Sequence, residues 1–256
     1  MNISLNKIEK YLRMLKNPAI FKFFFDDTFD SRIHKTLAIY ILNNYGIENF
    51  QNLDIEGKQN ALKSSGILFV ENSYNYIQFK KDDISNNFFN VEATIVFNNQ
   101  RRNLFFERDN FRAYTFSQNS WIACDDNIFN TIRFNDNIQC DNLYKLIENG
   151  TNKSSYLLFI DNNYDEDIDI EIFVQERINH SFNLLKTMLG THGINKLSMG
   201  FTFMENNEQD NSALPIFVNT VQQFLLNNEH TNSIMLIDQD DSFLNYFNEI
   251  QNYNFE

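Results

Sequence analysis

The clearest hydrophobic pattern of this chain lies between Ile194 and Ile250. Apolar residues first alternate with polar ones, at Leu197, Met199, Phe201 and Phe203, which is the period of a half-buried strand. A polar loop over 205–212 then precedes apolar residues at helical spacing: Leu214, Phe217, Val218, Val221, Phe224 and Leu225. A short apolar run over 233–237 and an amphipathic stretch from Asp240 follow. The pattern predicts a strand–helix–strand–helix unit with an apolar face on each element.

The first region, residues 1–66, is predicted to be helical. An apolar stripe from Ile3 to Leu15 ends before Pro18, where a helix is expected to stop. A second helix is predicted to be capped by Asp30 or Ser31 and to end at Gly46, and a third near residues 55–65 is predicted to end at Gly66.

The middle region, residues 67–139, is predicted to form strands. Val91, Ala93, Ile95 and Phe97 alternate with Glu92, Thr94 and Val96. The simplest arrangement is an antiparallel meander. Shorter candidate strands, separated by Asn, Asp and Ser turns, lie at 67–70, 76–79, 104–106, 111–116, 121–124 and 128–134.

The third region, residues 140–256, mixes both element types. Asp141 is predicted to cap a helix through Leu143, Leu146 and Ile147, and strands are predicted at 156–160 and 168–174. A helix over 182–188 is predicted to end at Gly190, before the C-terminal unit. The fold class predicted for the whole chain is therefore α+β, with a helical N-terminal segment, an antiparallel β-rich middle and a C-terminal strand–helix–strand–helix unit.

Charge and composition narrow the function classes. The chain has 256 residues and a formal net charge of −13, which opposes binding to nucleic acid or to an anionic membrane surface. It has only seven glycines, so loops that hold phosphate through several glycines are not expected. The first helix carries charges among its apolar residues and is no signal peptide. We expect a cytoplasmic protein without membrane insertion.

An acidic segment between residues 161 and 171 could be read as a calcium loop, because Asp165, Asp167 and Asp169 stand at positions 1, 3 and 5. Position 6, normally glycine, is Ile170. Isoleucines at 168, 170 and 172 alternate as in a strand, which favours a solvated acidic edge that faces a partner. Whether the segment binds a cation stays open.

A second charged group consists of Arg101, Arg102, Arg108 and Arg112, interleaved with aromatic residues such as Phe105, Phe111 and Tyr114. Basic residues among aromatics are typical of single-strand nucleic-acid binding, but the net charge and the nearby acids at 107 and 109 oppose it. A docking surface for a partner protein is the alternative. Together with Asp165, Asp167 and Asp169, these arginines form the predicted partner interface.

The chain carries no recognisable catalytic motif. The four histidines show no metal-ligand spacing, and the nucleophile-elbow, phosphate-loop and dinucleotide-binding patterns do not occur in the sequence. We therefore expect no enzyme activity, no cofactor and no metal. The C-terminal unit is also similar to the closing elements of macro domains, so a small effector that binds ADP-ribose or another nucleotide remains the alternative.

The last 115 residues resemble the C-terminal half of the TssG and TssF wedge proteins of the type VI secretion baseplate. The resemblance implies a mechanical role without catalysis, in a hetero-oligomer of TssF/TssG-like and TssK-like proteins around the VgrG spike hub. The stretches that match in order are 143–150, 156–160, Leu189-Gly190, 197–203, Ala213-Leu214-Pro215 leading into 217–226, and Asn232-Ser233-Ile234.

Overall fold

The computed structural model describes residues 1–16, 28–70, 73, 75–97, 111–117, 120–124, 142–151, 153–160, 168–189, 196–200, 207–228, 231–239 and 241–256. The helices are α1 (Leu5–Leu15), α2 (Phe29–Asn44), α3 (Ile47–Gln51), α4 (Ile55–Lys63), α5 (Ile170–Leu189), α6 (Asn207–Asn227) and α7 (Ser242–Ile250), with a 3₁₀ helix at Ile84–Asn87. The strands are β1 (Asn2–Ile3), β2 (Ile67–Phe69), β3 (Tyr76–Lys81), β4 (Ala93–Phe97), β5 (Phe111–Ser117), β6 (Ser120–Ala123), β7 (Leu143–Glu148), β8 (Ser154–Ile160), β9 (Lys196–Gly200), β10 (Ser233–Asp238) and β11 (Asn254–Phe255). The predicted α+β class is confirmed.

The chain divides into two compact units. Unit 1 combines residues 1–79 with residues 244–256, and unit 2 contains residues 80–243. The two units are defined by proximity in space, whereas the three predicted regions (1–66, 67–139 and 140–256) follow the order of the sequence. The predicted boundaries of these regions therefore stay a prediction.

Unit 1 begins with the predicted helices. Thr28, and not Asp30 or Ser31, caps α2: its Oγ1 accepts the N–H of Ser31 at 3.3 Å. The prediction was wrong by two or three residues, because any short polar side chain here offers an acceptor. Gly46 and Gly66 have positive φ, of 73° and 62°, and they end α2 and follow α4 as predicted.

Both ends of the described sequence contribute to unit 1. β1 and β11 pair in parallel, while β2 and β3 form an antiparallel pair. The hydroxyl of Tyr253 donates a hydrogen bond to the carbonyl oxygen of Ile67, and burial raises the pKa of this phenol. The core of the unit includes Ile3, Ile8, Leu12, Leu37 and Leu62, all fully buried.

Unit 2 contains a mixed sheet with the strand order β10-β9-β4-β8-β7-β5-β6. The first four strands of this order are parallel, and the last four are joined by antiparallel pairs. The predicted antiparallel meander is therefore wrong for β4, which has a parallel strand on each side.

Different elements pack against the two faces of this sheet. On one face, Val96, Leu157 and Phe159 pack with Ile84 and Phe88 from the 3₁₀ segment. On the other face, Phe97 meets Phe217 of α6 with ring centroids 6.4 Å apart. Within this helical layer, Phe182 of α5 stacks on Phe224 of α6 at 3.6 Å.

The C-terminal order β9-α6-β10-α7 confirms the predicted strand–helix–strand–helix unit. Its first helix begins at Asn207 and contains Pro215, so the polar stretch predicted as a loop over 205–212 is already helical from residue 207. Residues 201–206, which include the end of the predicted strand, lie outside the described residues.

Two other predictions were wrong about the type of element. Leu143–Glu148 is strand β7 and not a helix, so this part of the resemblance to the wedge proteins, where a short helix stands, fails. Residues 170–174 begin helix α5 and are not a strand. In both segments, the spacing of the apolar residues fits a helix as well as a strand.

Candidate docking surface

Arg112 is the one residue of the predicted arginine group that the described part of the chain includes. It is exposed on β5, whereas Arg101, Arg102 and Arg108 lie outside the described residues. Its surroundings can be built from the strand registers, because cross-strand partners project on the same face of a sheet.

The register of four strands places aromatic and basic side chains together. Tyr114 of β5 is paired with Lys145 of β7, and Lys145 with Tyr156 of β8. Arg112 lies two residues before Tyr114 and so on the same face. Trp121 of β6, paired with the residue two after Tyr114, completes the set.

We call Arg112, Tyr114, Trp121, Lys145 and Tyr156 the aromatic–basic face. The rings of Trp121 and Tyr156 lie 5.8 Å apart, although β5 and β7 separate their strands. The indole therefore extends across the sheet towards Tyr156, and it is partly exposed. Arg112 is exposed and the other four side chains are partly exposed.

The charges of this face are all positive among the described residues of β5 to β8. These strands carry three charged residues, Arg112, Lys145 and Glu148. Glu148 is paired with Phe111, on the opposite face from Arg112. Neither cation forms an ion pair with a described residue.

Sequence reasoning missed Lys145 and Tyr156 as members of this surface. The predicted helix contains Lys145, and only the observed strand β7 brings it beside Tyr114. The sequence did contain a signal, because Lys145 stands alone between apolar neighbours. This pattern fits a strand whose two faces are both partly covered.

The acidic half of the predicted interface is described at Asp169, while Asp165 and Asp167 lie outside the described residues. Asp169 precedes α5, and its Oδ1 accepts the N–H groups of Glu171 at 2.8 Å and Ile172 at 3.4 Å. This is helix N-capping. The prediction that Asp169 lies on a strand edge is therefore wrong.

A second carboxylate, Asp82, is held in a polar turn of unit 2. Lys80 Nζ lies 2.7 Å from its Oδ2, and the amides of Asn86 and Asn87 donate to it at 2.9 and 3.0 Å. Burial by itself raises the pKa of Asp82, but these hydrogen bonds outweigh it and lower the pKa to about 2. The ionised carboxylate of Asp82 therefore accepts these hydrogen bonds at neutral pH, and they order the turn.

Other titratable groups also have structural roles. His34 is buried: its Nε2 accepts the N–H of Ser4 at 2.9 Å, and its Nδ1 lies 2.7 Å from the carbonyl oxygen of Asp30. A neutral ring with its proton on Nδ1 satisfies both contacts. Burial raises the pKa of the Cys124 thiol, which makes it a poor nucleophile at neutral pH.

No group of three or more His, Cys, Asp or Glu residues within the described ranges is arranged to hold a metal ion. A shallow depression on α1 is lined by Asn6, Glu9, Lys10, Arg13 and Met14. Its Glu9 is already paired with Lys58 at 2.9 Å and with Arg13 at 3.4 Å. This depression presents no set of converging reactive groups.

A scan against models of known protein families finds no match to this chain, and neither does a search of curated proteins. None of the helices in the described ranges is long and apolar enough to cross a lipid bilayer.

Proposed function

We propose that this protein is a non-enzymatic, cytoplasmic subunit of a type VI secretion baseplate that acts through contacts with other wedge subunits. The partners in this proposal are TssF/TssG-like and TssK-like proteins and the VgrG hub, in a hetero-oligomer. The observation that supports it is the aromatic–basic face, a partly exposed sheet surface whose two cations have no ion-pair partner among the described residues of an acidic chain.

The composition of that face is typical of protein interfaces. Trp, Tyr and Arg are enriched at the centres of interfaces, where they contribute much of the binding energy. Lone cations also favour association with a partner of opposite charge. The order strand, helix, strand (β9, α6 and β10) is the part of the resemblance to wedge proteins that supports the same proposal.

Co-expression tests this function directly. The chain is produced alone and together with the TssF-like and TssK-like proteins encoded by the same genome. We expect co-purification at a fixed stoichiometry and a single peak in size-exclusion chromatography. A protein that stays monomeric in the presence of every baseplate component would contradict the proposal.

A second candidate is an effector that binds ADP-ribose or another nucleotide, and the topology of the sheet favours it. The strand that follows β4 along the chain is β5, which lies on the β8 side of β4, whereas the strand that follows β9 is β10, on the opposite side. In open α/β sheets, ligands bind outside the carboxyl ends of strands where the strand order reverses in this way. The residues that follow β4 and β9 lie outside the described ranges.

A thermal-shift titration separates this candidate from the first. ADP-ribose is added to the isolated protein, with ribose 5-phosphate as the matched control. An effector of this kind should gain stability with ADP-ribose alone, since a ligand that binds the native state raises the unfolding temperature. A baseplate subunit should respond to neither compound.

A further inference from the structure

We infer that the aromatic–basic face binds an acidic segment of a partner protein. The inference rests on the proposed function only in naming that partner as a baseplate subunit. The binding chemistry itself follows from the side chains of β5 to β8.

The charges on the aromatic–basic face indicate which charge the partner must carry. Arg112 and Lys145 lie on the same face as Tyr114, one along β5 and one across to β7. No carboxylate among the described residues of β5 to β8 shares that face. Two cations in register with aromatic residues, without a carboxylate partner in the described part of these strands, favour a ligand that brings carboxylates.

The aromatic residues decide what else the partner must offer. Trp121 and Tyr156 lie 5.8 Å apart across the sheet, and exposed Ala123 lies in the same row as Tyr114. The described part of this face therefore combines aromatic and small side chains that are partly or fully exposed. It fits an extended segment with aromatic or apolar side chains between its acids.

Single-stranded nucleic acid also stacks on aromatic residues, but it requires more positive charge. The described face supplies two cations, and the whole chain has a net charge of −13. A nucleic-acid backbone, with one phosphate per nucleotide, is opposed by this net negative charge. A peptide places only a few negative charges, and these can lie next to Arg112 and Lys145.

The chain offers a built-in reporter for the test, because Trp121 is its only tryptophan. The isolated protein is titrated with a random copolymer of glutamate and tyrosine while the tryptophan fluorescence is followed under selective excitation. We expect a saturable change that weakens as salt is added. Poly-glutamate should bind less tightly than the copolymer, and oligothymidine should bind less tightly than either.

Two double variants separate the contribution of Arg112 and Lys145 from a general effect of the net charge. R112E/K145E should weaken copolymer binding about tenfold or more. K10E/K186E is the matched control: it changes the net charge equally at two exposed positions outside the face, and it should bind like the wild type. Circular dichroism checks that both variants are folded.

Each outcome bears on the inference. Absence of any fluorescence change, equal binding by R112E/K145E, or tighter binding of oligothymidine would overturn it. The same two double variants are then co-expressed with the baseplate proteins. Copolymer binding without co-purification would retain the inference and reject the proposed function. A complex that forms equally well with R112E/K145E would retain the function and reject this surface as its interface.

Discussion

Gly66 illustrates how a single backbone position limits the sequence. It has a φ of 62° three residues after the last residue of α4, Lys63, and the N–H of Phe79 donates to its carbonyl oxygen at 2.8 Å. A Cβ atom at this position would overlap the carbonyl oxygen of Phe79. Both the conformation and the close approach of β3 therefore require glycine.

Gly66→Ala should destabilise the protein by roughly 2 kcal/mol more than Gly46→Ala, because only the first variant adds a steric clash. Gly46 is the matched control: its φ is 73°, and a Cβ there would meet nothing within 4 Å. Urea unfolding measures the difference. Equal losses of stability would show that the clash is relieved at no cost.

Asp82 predicts a pH dependence at the same scale. Its pKa is about 2 in the folded chain against an ordinary value of 3.8, so the unfolded chain binds the proton more readily. The stabilisation is fully present above about pH 4 and is lost as the pH falls towards 2. Asp82→Asn should flatten the decline of unfolding free energy in this window.

The control for this experiment is Asp241→Asn. Asp241 and Lys81 form an ion pair of 2.8 Å, but their side chains are 59% and 48% exposed, and exposed pairs of this kind contribute little. This variant should follow the wild-type pH profile. A decline in Asp82→Asn as steep as in the wild type would contradict the role assigned to the Lys80–Asp82 pair.

At the scale of elements, the start of α5 shows why one prediction failed. Isoleucines at 168, 170 and 172 alternate like a strand, yet Ile168 and Ile172 are 38% and 52% exposed. The core contacts come instead from Val174, Ile178 and Phe182, which follow helical spacing. The capping carboxylate of Asp169 was the signal that should have outweighed the short alternation.

Asp169→Ala should lower the unfolding free energy by about 1 kcal/mol, because two N–H groups at the start of α5 lose their acceptor. Hydrogen exchange at Glu171 and Ile172 should become faster. Asp169→Asn keeps a capping oxygen and should stay close to wild type. If Ala and Asn variants are equally stable, the cap contributes nothing.

β7 shows the converse error. Leu143, Tyr144 and Leu146 fit one face of a helix, but in the strand they divide between the two faces and all three are at most 4% exposed. A strand covered on both faces loses the alternation that identifies it in a sequence. For this reason, Lys145 and its neighbours on the aromatic–basic face could not be placed together beforehand, whereas β9, α6 and β10 could.

At the scale of the whole molecule, unit 1 depends on residues from both ends of the described sequence. The N–H of Asn254 donates a hydrogen bond to the carbonyl oxygen of Met1 at 2.8 Å, and the N–H of Glu256 donates one to the carbonyl oxygen of Ile3 at 3.0 Å. Ile3 is fully buried in the core of the unit. β1 and β11 thus act as a clasp made of two short strands.

Ile3→Ala should cost about 2–5 kcal/mol, because it removes buried apolar atoms and leaves a cavity. Ile55→Ala removes the same atoms at a position that is 68% exposed, and its effect should be within about 0.5 kcal/mol of zero. Chemical unfolding of both variants provides the measurement. A small effect of Ile3→Ala would mean that the clasp does not stabilise unit 1.

The same clasp sets an order of events during synthesis. While the ribosome is still adding residues 244–256, the first 79 residues lack the strand and the aromatic side chains that complete their core. Residues 80–243 are synthesised before residues 244–256, and domains fold as units while the chain emerges. Unit 1 therefore cannot complete its core until residues 244–256 have been added, although residues 1–79 are synthesised before unit 2.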